Sequence, residues 1–301
     1  MGAQCCGRFA PTPSGPLHFG SLVTAVASYL SAKSSGGNWL LRIEDVDEER
    51  CHQRHVTDIL KTLEKFGLCW DGEVVYQSQR TQIYDDVLQT LLKQGDAYFC
   101  TCSRKDVGLG RGVGVDGAPI YGRTCLFLGC SKAKPKAIRL KTAGSVKKFQ
   151  DRVFGELSQN VDTEVGDFVI RRSDGFYAYH LAVVVDDALQ GVTEIVRGYD
   201  LFVSTPRHLL LQERLRFFHP SYAHVPLVLN EGGEKLSKQT LAPALNADKI
   251  VDLLFACLNF LGQRANAAWR HETPEQILRM AAMEWDWNLV PKVPGKVTRW
   301  E

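Results

Sequence analysis

GRFAPTPSGPLHFG, residues 7–20, decides how this chain is built. A short, partly apolar stretch over 7–12 runs into the turn cluster PTPSG, beyond which Leu22, Val23, Val26, Tyr29 and Leu30 recur at helical spacing. The order is strand, glycine-bearing loop, helix. Backbone N–H groups at a helix N-terminus favour an anion, and glycines let a phosphate approach the main chain. Outward from there, NWLLRIE at 38–44 predicts a buried strand, and Val56, Ile59, Leu60, Leu63 and Phe66 form the apolar stripe of a helix stopped by Gly67. A further helix over 81–94, with Gly95 just past its end, leads into the strand AYFC. Such β and α alternation predicts an α/β fold on an open parallel sheet.

From Thr101 to Gly166 the pattern changes. Glycines crowd 108–117, cysteines cluster and no long periodic helix is visible, which predicts an insertion. Alternation resumes with DFVIRR, the turn Ser173-Asp174-Gly175 and FYAYHLAVVVDD, whose run Ala182–Val185 predicts a strand buried on both faces. Ser204 or Thr205 then caps a helix with Pro206 near its first position. The tail holds a strand-like HVPLVL, a loop containing KLSKQ and two helices. The second of these opens on Thr273, Pro274, Glu275 and Gln276, a capping-box signal.

A chain of 301 residues buries about three quarters of its unfolded surface and needs no covalent staple. Hydrophobic residues at 45% and charged ones at 23% fit a globular protein, and no run approaches the roughly 18 apolar residues that would span a bilayer. Nine cysteines, odd in number and bunched at Cys100, Cys102, Cys125 and Cys130, do not form a disulfide framework, so a reducing, cytoplasmic setting is expected. The start MGAQCC offers Gly2 and two cysteines but lacks the Ser/Thr of the myristoylation pattern. A net charge of +2 excludes a globally basic nucleic-acid binder, so any RNA contact is local. The segment Lys132–Arg152, with Lys134, Lys136, Arg139, Lys141, Lys147 and Lys148 against the single acid Asp151, is either such a place or a solvated face.

Three further groupings bear chemistry. Two lysines on the loop KLSKQ can neutralise charge that builds on a leaving polyphosphate. The acidic run RIEDVDEER, with Glu44, Asp45, Asp47, Glu48 and Glu49, reads as a magnesium site or a solvated helix start. The thiols of Cys100 and Cys102, converging with Cys125 after a strand, suit tetrahedral zinc.

Taken together, these strings resemble class I glutamyl-tRNA synthetases. His18, Phe19, Gly20 and Ser21 fall on the family's HIGH positions, with Ser in place of the last His, and KLSKQ is similar to its KMSKS loop. AVVVDD and GVTEIVRG extend the likeness. The resemblance implies a Rossmann-type catalytic domain split as 1–98 and 167–220, a zinc-bearing, acceptor-binding-like insertion at 99–166, and a loop with a helical, stem-contact-like region at 221–301. It implies His18 and Lys238 as catalytic groups, and ATP bound by His18, Gly20, Ser21, Lys235 and Lys238. For L-glutamate it implies Glu44 on the ammonium, Arg8 and Arg197 on the carboxylates, and Tyr179 with Phe9, Ala10, Pro11 and Thr12 as walls. Arginine forks match carboxylates geometrically, and two arginines against one acid balance a glutamate zwitterion.

The pattern CTC with a later Tyr-x-x-x-Cys is similar to the zinc site of the glutamyl-queuosine tRNA(Asp) synthetases, which implies Cys100, Cys102, Tyr121 and Cys125 as ligands to one structural ion, with Cys130 as the rival fourth donor. Only 62 residues follow Gln239 in the sequence, too few for the helical anticodon-reading domain of glutamyl-tRNA synthetases, so the resemblance leads one to expect the same shortened branch. The expectation is a monomeric ligase that forms glutamyl-adenylate from ATP, with magnesium, and passes glutamate to queuosine in the anticodon of tRNA(Asp), with no part for DNA or membrane. The alternatives are a truncated enzyme charging the 3′ end of a tRNA, a non-catalytic RNA-binding paralogue, and a nucleotidyltransferase for another acid.

Overall fold

The structure, a computed structural model, describes residues 4–47, 49–108, 110–130, 136–236 and 244–298. Gly2, Glu48, Lys132, Lys134 and Lys238, all singled out in the sequence, lie outside the described residues. The chain opens with β1 (Cys6–Phe9), α1 (Phe19–Ser34), β2 (Asn38–Ile43), α2 (Gln53–Lys65), β3 (Val75–Tyr76), α3 (Thr81–Lys93) and β4 (Ala97–Cys100). Helix α1 buries most of its length: Leu22, Val26 and Leu30 are fully buried in the main core, and Phe19 meets Phe260 edge to face at 6.3 Å, while Gly20, Ser21 and Thr24 are only partly covered. Helix α2 buries only the stripe Val56, Ile59 and Leu63. It stops at Gly67, where φ is +71° and a side chain would come within 2.8 Å of the Glu275 backbone nitrogen, so only glycine fits.

Next come α4 (Arg104–Gly108), α5 (Thr124–Leu128), β5 (Ala137–Leu140), β6 (Val146–Asp151), β7 (Gly155–Asn160), α6 (Val161–Glu164) and β8 (Val169–Arg171). The segment from 99 to 166 is tied into its surroundings: β5 pairs antiparallel with β4 and β8, and the β6–β7 hairpin meets the later strand β10 (Ser221–Val225) through Asp151 and Tyr222. Between lie α7 (Tyr179–Leu189), β9 (Glu194–Gly198) and α8 (Thr205–Leu215), and after β10 come β11 (Leu227–Leu229), α9 (Ile250–Phe260), α10 (Pro274–Met283) and β12 (Gly295–Val297). The capping box expected at Thr273 and Gln276 is present at the start of α10.

One expectation is corrected. The run Ala182–Val185 is helix α7, not a strand. From Leu181 to Asp187 every residue of α7 is buried in the core it shares with α3, β8 and α8, and a helix buried on all faces carries the same unbroken apolar run as a doubly buried strand.

Strands β1, β2 and β3 are parallel neighbours, and so are β9 and β10. The two blocks meet where Thr193 accepts from the Cys6 N–H through Oγ1 at 2.8 Å and donates its own N–H to the Cys6 carbonyl at 2.9 Å. Across the molecule the order is therefore β3-β2-β1, then β9-β10, the doubly wound arrangement whose chain direction switches between β1 and β9. A ligand crevice forms at such a switch, outside the carboxyl ends of the strands. Among the described residues no helix is long and apolar enough to cross a membrane.

Candidate functional site

Two adjoining cavities open at this switch. The larger, about 720 Å³, is lined by Thr12, His18, Gly20 and Ser21 at the start of α1 and by Gly198, Asp200 and Lys235 across the crevice. His18 is the N-cap of α1: its Nδ1 accepts the Ser21 N–H at 3.4 Å while its own N–H donates to Ser21 Oγ at 3.3 Å. An accepting Nδ1 leaves the ring proton on Nε2. The serine that departs from the HIGH pattern thus completes a reciprocal cap. A side chain at position 20 would stand 3.2 Å from the His18 ring, so Gly20 leaves that ring its space. Lys235 is 47% exposed and its Nζ lies 2.5 Å from Asp200 Oδ2.

The smaller cavity, about 320 Å³, is lined by Arg8, Glu44, Tyr179 and Arg197, with Phe9, Ala10 and Thr12. It shares Phe9, Thr12, Thr24 and Gly198 with the first, and Pro11 lines the larger one. The structure thus brings Arg8 from β1, Glu44 from just after β2, Tyr179 from the first turn of α7 and Arg197 from β9 to one place.

Charges beneath this cavity are arranged by two residues to which the sequence reading gave no role. Arg42, fully buried on β2, donates through Nη1 to Asp187 Oδ1 at 2.8 Å and through Nη2 to Glu44 Oε1 at 3.3 Å. Asp187, on α7, also accepts from Arg8 Nε at 3.0 Å, and Arg8 Nη1 donates to the Val196 carbonyl at 3.4 Å. Burial pushes the Asp187 carboxyl up, but Arg8 and Arg42 outweigh it and hold the group below its usual range. At Glu44 burial wins over Arg42 and Arg8, and its carboxyl lies above the usual range. The signal for Arg42 was available: it is a charged residue inside an apolar strand, two positions before Glu44. Asp187 was hidden by the misread secondary structure around it.

Arg197 is different. It is 4% exposed, and among the described residues no carboxylate pairs with it. Its partners are neutral: His224 Nε2 at 3.1 Å, His208 Nδ1 at 3.0 Å, Thr205 Oγ1 at 2.8 Å and the Leu201 carbonyl at 3.2 Å. A buried cation without a counter-charge favours an anionic ligand, since burying it unpaired is costly.

Two of the acids that offered a magnesium site are otherwise engaged: Asp45 takes the Ser78 N–H and hydroxyl at 2.8 and 2.7 Å, and Asp47 pairs with Arg50 and Arg172 at 2.7 and 3.1 Å. The basic run is partly spent as well. Arg139 stacks on Tyr121 at 4.1 Å and donates to the Asp167 carbonyl, Lys147 pairs with Glu213, and Arg152 pairs with Glu194 at 3.0 Å, while Lys148 is exposed.

Away from both cavities, the sulfurs of Cys100, Cys102 and Cys125 all lie within 4.8 Å of one another. Zinc–sulfur bonds of about 2.3 Å put tetrahedral sulfurs about 3.8 Å apart, so this donor set fits such an ion. Tyr121 Oη lies 3.2 Å from Cys102 Sγ and accepts the Cys125 N–H at 2.8 Å, whereas Cys130 Sγ lies 2.6 Å from the Phe99 carbonyl. Burial pushes the Cys125 thiol up, but hydrogen bonds from the Thr101 N–H and from the Tyr121 and Thr101 hydroxyls bring it down to about 6, which favours the thiolate a metal needs.

The family model for class I tRNA synthetases (E and Q), catalytic domain, matches residues 4–292. A glutamyl-Q tRNA(Asp) synthetase from Pseudomonas entomophila (strain L48) is 50% identical over 279 residues, 93% of this chain and 92% of the relative. Another, from Dechloromonas aromatica (strain RCB), is 45% identical and covers 97% of both chains. Among solved structures, a glutamate tRNA ligase from Elizabethkingia meningosepticum, crystallised in complex with its amino acid, superposes with a TM-score of 0.79 at 26% identity, covering 98% of this chain and 67% of its own.

Proposed function

Because the chain belongs to the class I tRNA synthetase family of the E and Q type, we propose that it activates L-glutamate with ATP and passes the glutamyl group to queuosine in the anticodon of tRNA(Asp). The observation that carries the glutamate reading is the cavity of Arg8, Glu44, Tyr179 and Arg197 opening beside His18. Three buried guanidiniums, on Arg8, Arg42 and Arg197, stand there against two carboxylates, on Glu44 and Asp187. The surplus positive charge suits glutamate, with its two carboxylates and one ammonium. The acceptor rests on the relatives, whose printed names give tRNA(Asp) and Q.

In this reading Glu44 takes the substrate ammonium, and Arg8 and Arg197 take its carboxylates. ATP lies over the start of α1, held by His18, Gly20, Ser21 and the lysines of the KLSKQ loop, of which Lys238 is the second catalytic group. The α-carboxylate oxygen attacks the α-phosphorus in line as the bond to pyrophosphate breaks. The enzyme supplies position and charge, since no protein nucleophile is needed. Lys235 exchanges Asp200 for the polyphosphate. Magnesium bound with ATP would neutralise phosphate charge. A hydroxyl of the queuosine cyclopentenediol then attacks the activated carbonyl and releases AMP. The stretch 99–166 serves as an insertion between the halves 1–98 and 167–220 of the catalytic domain, followed by the region 221–301, and Cys100, Cys102, Cys125 and Tyr121 hold one structural zinc within it.

ATP–pyrophosphate exchange run with glutamate, glutamine and aspartate tests the first step, and exchange with no preference for glutamate would end this reading. Transfer of labelled glutamate to tRNA(Asp) with and without queuosine tests the second, and equal labelling of both would point to charging at the 3′ end.

A further inference from the structure

Arg197 is the centre of a chain of side chains, all buried except the half-buried His180, that the two chemical steps do not call for. His180 Nδ1 lies 3.0 Å from His208 Nε2, His208 Nδ1 lies 3.0 Å from Arg197 Nη1, Arg197 Nε lies 3.1 Å from His224 Nε2, and His224 Nδ1 lies 2.6 Å from Asp151 Oδ2. A guanidinium only donates, so every proton in the chain is assigned. His208 Nδ1 accepts, which leaves its proton on Nε2 to donate to His180. His224 Nε2 accepts, which leaves its proton on Nδ1 to donate to Asp151. Both imidazoles touching Arg197 are therefore neutral, and burial together with Arg197 itself keeps them so, with His224 pushed down to about 4 and His208 well below its ordinary value.

The geometry points to His208, His224 and Asp151 as positioning residues that aim Arg197 without cancelling its charge, and so make the pocket prefer a side-chain carboxylate to a side-chain amide. This rests on the reading of the pocket as a glutamate site. A carboxylate in place of either histidine would orient the guanidinium equally well but would neutralise it. An incoming carboxylate would then gain little over an amide. Arg8 is in that position already, paired with Asp187 at 3.0 Å. Since the substrate α-carboxylate must reach the phosphorus, the unneutralised arginine falls to the side-chain end. Asp151 fixes the arrangement from one residue back: its Oδ1 takes the Val153 and Phe154 N–H groups, each at 3.0 Å, so Oδ2 is aimed at His224 by its own backbone.

Asp151→Asn tests this. The amide oxygen keeps the two backbone bonds and turns the NH2 toward His224 Nδ1. The imidazole proton is thereby forced onto Nε2, opposite the Arg197 Nε–H. The expected result, from leaving a buried donor unmet, is a glutamate KM raised about 10- to 100-fold. The KM for ATP stays put, and the ratio of the glutamine inhibition constant to the glutamate KM falls. His208→Leu should act in the same direction and His208→Gln, which restores an acceptor, should recover most of the loss. An equal rise in both KM values with a lowered thermal midpoint in all three variants, or unchanged glutamate KM and unchanged discrimination, would overturn the inference while glutamate-dependent exchange in the parent protein stands. Exchange in the parent that does not depend on glutamate would remove the pocket reading and this inference with it.

Discussion

Replacing Asp187 by Asn removes one charge and keeps the shape of the side chain, and the structure says what should follow. The carboxylate joins two buried arginines, Arg8 at 3.0 Å and Arg42 at 2.8 Å, with side-chain exposures of 4% for Asp187, 4% for Arg8 and 0% for Arg42. Taking one partner out of a buried ion pair costs roughly 3–5 kcal/mol, because the remaining charge is left uncompensated. Arg42 keeps Glu44 at 3.3 Å, so the cost falls mainly on Arg8. Unfolding entropy of roughly 2 cal/mol/K per residue gives this chain about 0.6 kcal/mol/K, so the thermal midpoint should drop by about 5–8 °C. Scanning calorimetry at pH 7 measures it directly. The sign with pH follows from the depressed carboxyl. Its contribution is fully present above the ordinary value of 3.8 and is lost as the pH falls through the lower value it has in the fold, so the gap between variant and parent should close only in strong acid. A midpoint within 1 °C of the parent at pH 7 would show that Asp187 does not hold these arginines, and the account of the charge balance under the cavity would fail.

Two further outcomes are expected. Glu44 lies above its usual value of 4.5, through burial opposed by Arg42 and Arg8, so the glutamate KM should rise as the pH falls toward that raised value while the ATP KM stays flat. Glu44→Gln should abolish this acid limb and lower kcat/KM for glutamate by about 100-fold, in line with loss of a charge-assisted contact of a few kcal/mol, and a limb that survives the substitution belongs to another group. Cys125→Ser should remove a zinc equivalent measured by elemental analysis and lower the thermal midpoint, with glutamate-dependent exchange retained because none of the Cys cluster lines either cavity. A parent protein isolated without zinc, at the same midpoint as the variant, would take the metal out of the account.

How much was legible in the sequence is seen best at particular residues. The strand, loop and helix around His18 could be read because each is locally determined: the apolar spacing of α1 and the Pro and Gly of the turn before it lie within one window. The same holds for α2 with its stop at Gly67 and for the box at Thr273. Helix α7 was misread because periodicity vanishes once every face is buried, and only the elements packed around it break the tie. Arg8, Glu44, Tyr179 and Arg197 could be named by resemblance, yet their meeting in one cavity is a fact of three dimensions.

By itself, then, the sequence determined the α/β alternation of the first hundred residues, the turn that starts the first helix and the residues of the two synthetase-like loops, since those depend on neighbours a few positions apart. Only the tertiary structure decided that Asp187 serves Arg8 and Arg42, and that Arg197 is met by His208 and His224, neither of them an acid. Asp151 and His224 stand 73 positions apart and Arg8 and Asp187 stand 179 apart. Whether a buried charge is cancelled or left for a ligand depends on which groups the packed elements bring within about 4 Å, where the Coulomb energy of a pair is large, and no local pattern encodes that.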